Sequence, residues 1–105
     1  MAEFTIAQER KVVTAIPGPK SQEMQTRRLK AVSHGVGAAL PVYIEKANGA
    51  ILVDIDGNHF IDLGCGIGVT TIGHTNAPLI DAVSHQVNQV THTLFTVTPY
   101  EGYVE

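Results

Sequence analysis

The dipeptide Asp56-Gly57 is the strongest constraint on how this chain can fold. Before it, Ile51, Val53 and Ile55 alternate with Leu52 and Asp54; after it comes Asn58-His59-Phe60-Ile61-Asp62-Leu63. An Asp-Gly link between two β-type runs suits tight turns that need positive φ at their centre. It predicts a hairpin whose arms are antiparallel neighbours. A glycine-rich bend, Gly64-Cys65-Gly66-Ile67-Gly68-Val69, follows the second arm without a break.

Two readings of that bend compete. Ile61-Asp62-Leu63-Gly64-Cys65-Gly66 resembles the cofactor turn of S-adenosylmethionine-dependent methyltransferases. That turn must end the first strand of a parallel sheet and open directly into a helix, so that backbone N–H groups reach the nucleoside. Here the strand is already the second arm of a hairpin. Thr70, Thr71 and Gly73 also oppose an immediate helix. Downstream, Thr93-Leu94-Phe95-Thr96-Val97-Thr98 ends without the acidic residue that would hold ribose hydroxyls. A Rossmann turn fails similarly, because Gly64-x-Gly66-x-Gly68 lacks the last glycine at its required offset.

The flanks supply the rest of the organisation. Residues 1–20 read as a weakly patterned arm ending in Pro17-Gly18-Pro19. Good helix formers run from Ser21, the expected N-cap, to about Ser33, with a ragged apolar stripe of Met24, Leu29 and Val32. His34-Gly35-Val36-Gly37 ends that helix, and Pro41 leads into a short β-type run, Val42-Tyr43-Ile44. Beyond the bend, Asn76 is a candidate N-cap, and Pro78 falls in the first turn, where its missing N–H costs nothing. Leu79, Ile80, Val83, Val87 and Val90 then recur at helical spacing, predicting an amphipathic helix over 77 to about 91. Pro99–Glu105 starts another helix-like pattern and stops, so the expectation is a piece of a longer protein.

Composition narrows the function classes. The 105 residues are 44% hydrophobic and 16% charged, ordinary for one small packed unit. A net charge of −3 offers no basic field for nucleic acid. The N-terminus shows no secretory pattern and no apolar run approaches a membrane span, so the expected compartment is the cytoplasm. The single cysteine, Cys65, rules out an internal disulfide and a cysteine-cluster zinc site; it reads as a small residue in a tight turn rather than a nucleophile. The five histidines have no ligand-like spacing, so no metal is expected, and His74 reads as a turn residue bonded to backbone. Asp54, Asp56 and Asp62 read as turn and strand-end residues rather than a catalytic pair.

From about Arg27 to Glu105 the chain resembles the 4-aminobutyrate/ornithine-type (class III) aminotransferases, and within them the bacterial enzymes acting on 4-aminobutyrate. The landmarks occur in order: Gly35-Val36-Gly37, Pro41, Val53-Asp54-x-Asp56-Gly57, Phe60-Ile61-Asp62-Leu63 and Gly66-Ile67-Gly68-Val69. They continue with Gly73-His74-x-x-x-Pro78, His92-Thr93-x-Phe95 and Tyr100-Glu101-x-Tyr103.

The resemblance implies an α+β fragment, the N-terminal part of the small domain of a fold-type I aminotransferase. Its divisions would be an arm (1–20), a small-domain helix with antiparallel strands and glycine turn (21–76), and a linking helix opening the large domain (77–105). It implies amino transfer from an ω-amino acid, foremost 4-aminobutyrate, to 2-oxoglutarate through pyridoxal phosphate in a homodimer or higher homo-oligomer. The lysine that holds the cofactor covalently would lie beyond residue 105, because Lys11, Lys20, Lys30 and Lys46 match no such motif. No catalytic residue is therefore expected here, and the chain alone would be inactive. Ile67, between Gly66 and Gly68, would form an apolar wall for the substrate, and Phe95 and Thr96 would approach the cofactor. A methyltransferase and a small non-enzymatic α+β module remain the alternatives.

Overall fold

The structure, a computed structural model, describes residues 4–105 and divides into two compact units, one ending at His74 and the other Thr75–Glu105. The first three residues of the expected arm lie outside the described residues. In the first unit a helix, α1 (Pro19–Ala31), precedes three strands: β1 (Ile44–Asn48), β2 (Ile51–Asp54) and β3 (His59–Ile61). They form an antiparallel meander in the order β1-β2-β3. Ile51 pairs with Ile61 and Val53 with His59 across the Asp56-Gly57 turn, so the hairpin arms are antiparallel neighbours. A parallel array, which the methyltransferase reading requires, is absent among the described residues.

β2 is the central strand and carries the core. Ile51 and Val53 are 2% and 3% exposed and are the only fully buried large apolar residues described. β1 covers one side of β2, pairing Asn48 with Ile51 and Lys46 with Val53, with an irregularity between Ile44 and Lys46. The expected run at Val42-Tyr43-Ile44 therefore lies too early, since the strand begins at Ile44 and continues through Asn48. Glu45, Lys46 and Ala47 carry no apolar alternation, and as an edge strand they need none.

The N-terminal arm is tied to the sheet by polar groups. Lys11 and His59 exchange backbone hydrogen bonds at 3.2 and 2.6 Å. The Asn58 side chain, fully buried, accepts from Val13 N–H (2.8 Å) and Thr14 N–H (3.0 Å) and donates to Thr14 Oγ1 and Asp54 Oδ2 (both 2.8 Å). Asp54, also buried, accepts from the backbone of Asp56 and Asn58 through Oδ1. A buried amide persists only when its donors and acceptor are matched, and here all are.

α1 starts at Pro19 rather than Ser21, with Gly18 at the N-cap and no capping side chain of its own. The cap comes from the hairpin turn instead. Asp56 accepts from Lys20 N–H through Oδ1 (2.8 Å) and from Ser21 N–H through Oδ2 (2.9 Å). A carboxylate at a helix N-terminus satisfies orphan N–H groups and favours the dipole. Desolvation raises the Asp56 carboxyl, but hydrogen bonding from Ser21 and Lys20, with the Lys20 charge, outweighs it and holds the group below its usual value. Ser21, expected to be the cap, is buried in the first turn.

In the second unit α2 (Ala77–Val87) opens as the sequence predicts: Asn76 Oδ1 accepts from Leu79 N–H at 3.2 Å, and a proline sits in the first turn. It ends at Val87, before the expected residue 91, as the last turn tightens: Gln89 N–H bonds to Gln86 O, three residues back rather than four. The expected final helix is a short 3-10 turn, Glu101–Tyr103. Phe95 stacks edge-on against Tyr100 at 5.6 Å and tilted against Tyr103 at 4.5 Å.

Candidate functional site

The glycine bend leaves β3 and returns to the sheet at His74, and both ends are pinned. Asp62 N–H donates to Ala50 O at 2.9 Å. Gly49 and His74 exchange backbone hydrogen bonds at 3.0 and 2.9 Å. The apex, Cys65–Gly68, is a left-handed turn: φ is +49° at Cys65, +59° at Gly66, +60° at Ile67 and +78° at Gly68. Glycine adopts this region freely, but a β-branched residue there is a genuine outlier. Holding Ile67 and Cys65 in it costs about 1–2 kcal/mol each.

That backbone turns Ile67 outward, 98% exposed, with Leu63 beside the turn 90% exposed and Val69 and Ile72 also open. Gly66, Ile67 and Gly68 are thus grouped at one exposed apolar tip. Phe95 is half-buried and Thr96 exposed, both in the second unit.

Asp62 organises the base of the turn, and sequence reasoning missed how. Its Oδ1 accepts from Gly64 N–H (3.0 Å) and Cys65 N–H (2.9 Å), while Oδ2 lies 2.6 Å from His74 Nε2. An ionised carboxylate has no proton to give, so Nε2 is the donor. His74 was expected to bond backbone at a turn; its main chain does bridge to Gly49, and its ring goes to Asp62. The His74 hydrogen bond, reinforced by the Cys65 and Gly64 N–H groups and opposed by desolvation, holds the Asp62 carboxyl below its usual value. Twelve residues separate the pair, and no periodicity signals a contact made only because Gly49 draws His74 back to the sheet.

A cavity of about 370 Å³ opens beside this base, lined in part by Asp62, Cys65, Thr70 and His74. Thr70 Oγ1 is buried there without a hydrogen-bond partner. The volume lies in the range of small-molecule sites. The lysines contribute nothing to it: Lys11, Lys20, Lys30 and Lys46 are all exposed, and Lys46 makes only a 3.9 Å surface pair with Glu45. A cofactor bound covalently to lysine therefore does not fit the residues described. Among those residues no cluster of His, Cys, Asp and Glu is arranged to hold a metal ion, and no helix is long and apolar enough to cross a membrane.

The sequence profile described as Aminotransferase class-III matches residues 31–105. The chain belongs to the class-III aminotransferase family. It is 56% identical over 100 residues to 4-aminobutyrate aminotransferase of Mycobacterium tuberculosis, covering 95% of this chain and 22% of that relative. It is 36% identical over 85 residues to 5-aminovalerate aminotransferase of Pseudomonas putida, covering 81% of this chain and 20% of the relative. The chain thus spans about a fifth of the length of the curated relatives it matches. Among solved structures, an ornithine aminotransferase from Toxoplasma gondii with pyridoxal phosphate at partial occupancy in its active site superposes with a TM-score of 0.65. That match has 28% identity and covers 70% of this chain and 17% of that one. The antiparallel sheet and helices accordingly have the fold of the matching part of the class-III family, a fold-type I architecture. That membership also removes the methyltransferase alternative.

Proposed function

We propose that this chain is the N-terminal segment of a pyridoxal-phosphate-dependent aminotransferase acting on ω-amino acids, foremost 4-aminobutyrate. The amino group leaves 4-aminobutyrate, which becomes succinic semialdehyde, and arrives on 2-oxoglutarate, which becomes glutamate. The observation that carries this reading is the 56% identity to a 4-aminobutyrate aminotransferase over 95% of the chain. The likeness to a 5-aminovalerate aminotransferase supports the wider ω-amino class.

When bound, pyridoxal phosphate supplies the electron sink for amino transfer; residues outside this chain hold it. This chain contributes shape. Ile67 offers an apolar wall to the aliphatic chain of the donor, Gly66 and Gly68 let the backbone approach it, and Phe95 with Thr96 lies near the cofactor. The arm would be residues 1–20, the small-domain portion 21–76, and 77–105 the passage into the large domain. A homodimer or higher homo-oligomer working in the cytoplasm completes the reading.

The test is direct. The intact polypeptide carrying this segment should form glutamate from 4-aminobutyrate and 2-oxoglutarate, and show visible cofactor absorbance lost on borohydride reduction. An intact polypeptide with neither property overturns the proposal.

A further inference from the structure

The exposed tip at Ile67 touches little within this chain, and the bonds that hold its turn sit at the base. Asp62 uses one oxygen to hold the Gly64 and Cys65 N–H groups where the turn begins, and the other to take the His74 ring where the segment ends. His74 is itself fixed to the sheet by two backbone bonds to Gly49. Inside the loop the bonds are short-range: Ile67 N–H to Gly64 O at 2.8 Å, Val69 and Thr70 N–H to Cys65 O at 2.8 and 3.0 Å. The apex and the two residues after it therefore refer back to Gly64 and Cys65, and the amides of those two refer to Asp62.

We propose that Asp62 and His74 form a clamp that positions Ile67, and through it sets how long an ω-amino acid the site accepts. This rests on the reading of Ile67 as a wall of the donor pocket. Neither side chain need touch the substrate; both are positioning residues acting through the turn. A strained left-handed backbone has lower-energy alternatives available, and with either partner removed the apex relaxes toward them. A displaced wall stops discriminating between donors that differ by one methylene, a distinction commonly worth about 10–200-fold in hydrophobic pockets.

The experiment uses the intact enzyme, with Asp62→Ala, His74→Phe, Asp62→Asn and the double variant Asp62→Ala/His74→Phe. Two readouts are taken: steady-state kinetics with 4-aminobutyrate and 5-aminovalerate, and amide hydrogen exchange of residues 63–72. For the preferred donor, Asp62→Ala and His74→Phe should each raise KM about tenfold and leave kcat within about threefold, as expected when only uniform binding is lost. The kcat/KM ratio between the two donors should fall toward one. Exchange of residues 63–72 should quicken while that of β2 does not change. The double variant should be little worse than either single one, because the two residues act as one device. Asp62→Asn keeps an acceptor for the Gly64 and Cys65 amides and should recover much of the donor discrimination. If Asp62→Ala does not fold, His74→Phe carries the same decision. Unchanged donor discrimination in a His74→Phe enzyme that transaminates overturns the clamp. A wild-type enzyme that transaminates neither donor overturns the aminotransferase reading instead, and the exchange data then decide whether the pair holds the turn at all.

Discussion

Replacing Asn58 with alanine should release the N-terminal arm while leaving the sheet intact. Three of the hydrogen bonds made by the Asn58 side chain go to the arm: from Val13 N–H, from Thr14 N–H and to Thr14 Oγ1, at 2.8, 3.0 and 2.8 Å. At a net value of about 1 kcal/mol each, their loss lowers the opening free energy of this stretch by about 3 kcal/mol. Because about 1.4 kcal/mol is tenfold, the Val13 and Thr14 amides should exchange on the order of a hundredfold faster. The reciprocal Lys11–His59 backbone pair remains as a hinge. Hydrogen exchange followed by NMR or mass spectrometry reads this residue by residue, with the β2 amides of Leu52 and Val53 as internal reference. Asn58 also donates to buried Asp54 Oδ2, so a modest global loss accompanies the local one. The reasoning is refuted if the Val13 and Thr14 amides accelerate no more than those of β2, for then Asn58 supports the whole unit and latches nothing.

Three further outcomes follow from geometry. In Gly18→Ala the new Cβ would stand 2.3 Å from Asp56 Cγ, forcing the carboxylate off the α1 N-terminus; overpacking of this kind costs about 1–3 kcal/mol. Circular dichroism at 222 nm should show a lower thermal midpoint, and an unchanged one would mean the cap is dispensable. Ile67→Gly relieves about 1–2 kcal/mol of left-handed strain against roughly 0.5–1 kcal/mol of added chain entropy. Denaturant unfolding should therefore find it neutral to slightly stabilised, and a loss above about 2 kcal/mol would show Ile67 to be packed rather than free. For Asp62, whose folded pKa is depressed, the stabilisation is complete above its ordinary value of 3.8 and is lost as pH falls through the lower folded value. Exchange-competent opening of the Gly64 and Cys65 amides, corrected for intrinsic rates, should rise in that acid window and do so less in Asp62→Asn.

The parts legible in the sequence are those whose cause is local. Asp56-Gly57 lies between its own two strands, and Asn76 caps a helix three residues away, so pattern and turn chemistry suffice. The α1 cap is different in kind: Asp56 reaches Lys20 and Ser21 across about 35 residues of chain, and Ser21 looks like a cap to any local reading. β1 escaped because an edge strand of Glu45, Lys46 and Ala47 shows no alternation, although Asn48-Gly49 marks its hairpin with β2. The end of α2 was overrun because Val90 continues the apolar spacing, although the helix has already tightened at Gln89, whose N–H bonds three residues back to Gln86 O. The tip residues Gly66, Ile67 and Gly68 were singled out only through resemblance, and their role stays a proposal; the Asp62–His74 pair beneath them had no signature, because its spacing reflects a loop closure rather than a repeat.

The contrast between tip and base also explains why a β-branched residue can occupy a left-handed turn at all. Two non-glycine residues in that region cost together about 2–4 kcal/mol, and the exposed side chain of Ile67 recovers none of it by packing. Within this chain the offset available comes from hydrogen bonds at the base of the turn. Those present are the two turn amides on Asp62, the His74 ring on the same carboxylate, and the backbone bridge from His74 to Gly49. On the proposed reading of Ile67 as a donor wall, the duties are separated: Ile67 would face the donor, while its position is held by hydrogen bonds at the base of the turn. Changing Ile67 should then alter which donor is accepted, whereas changing Asp62 should alter how sharply any donor is distinguished.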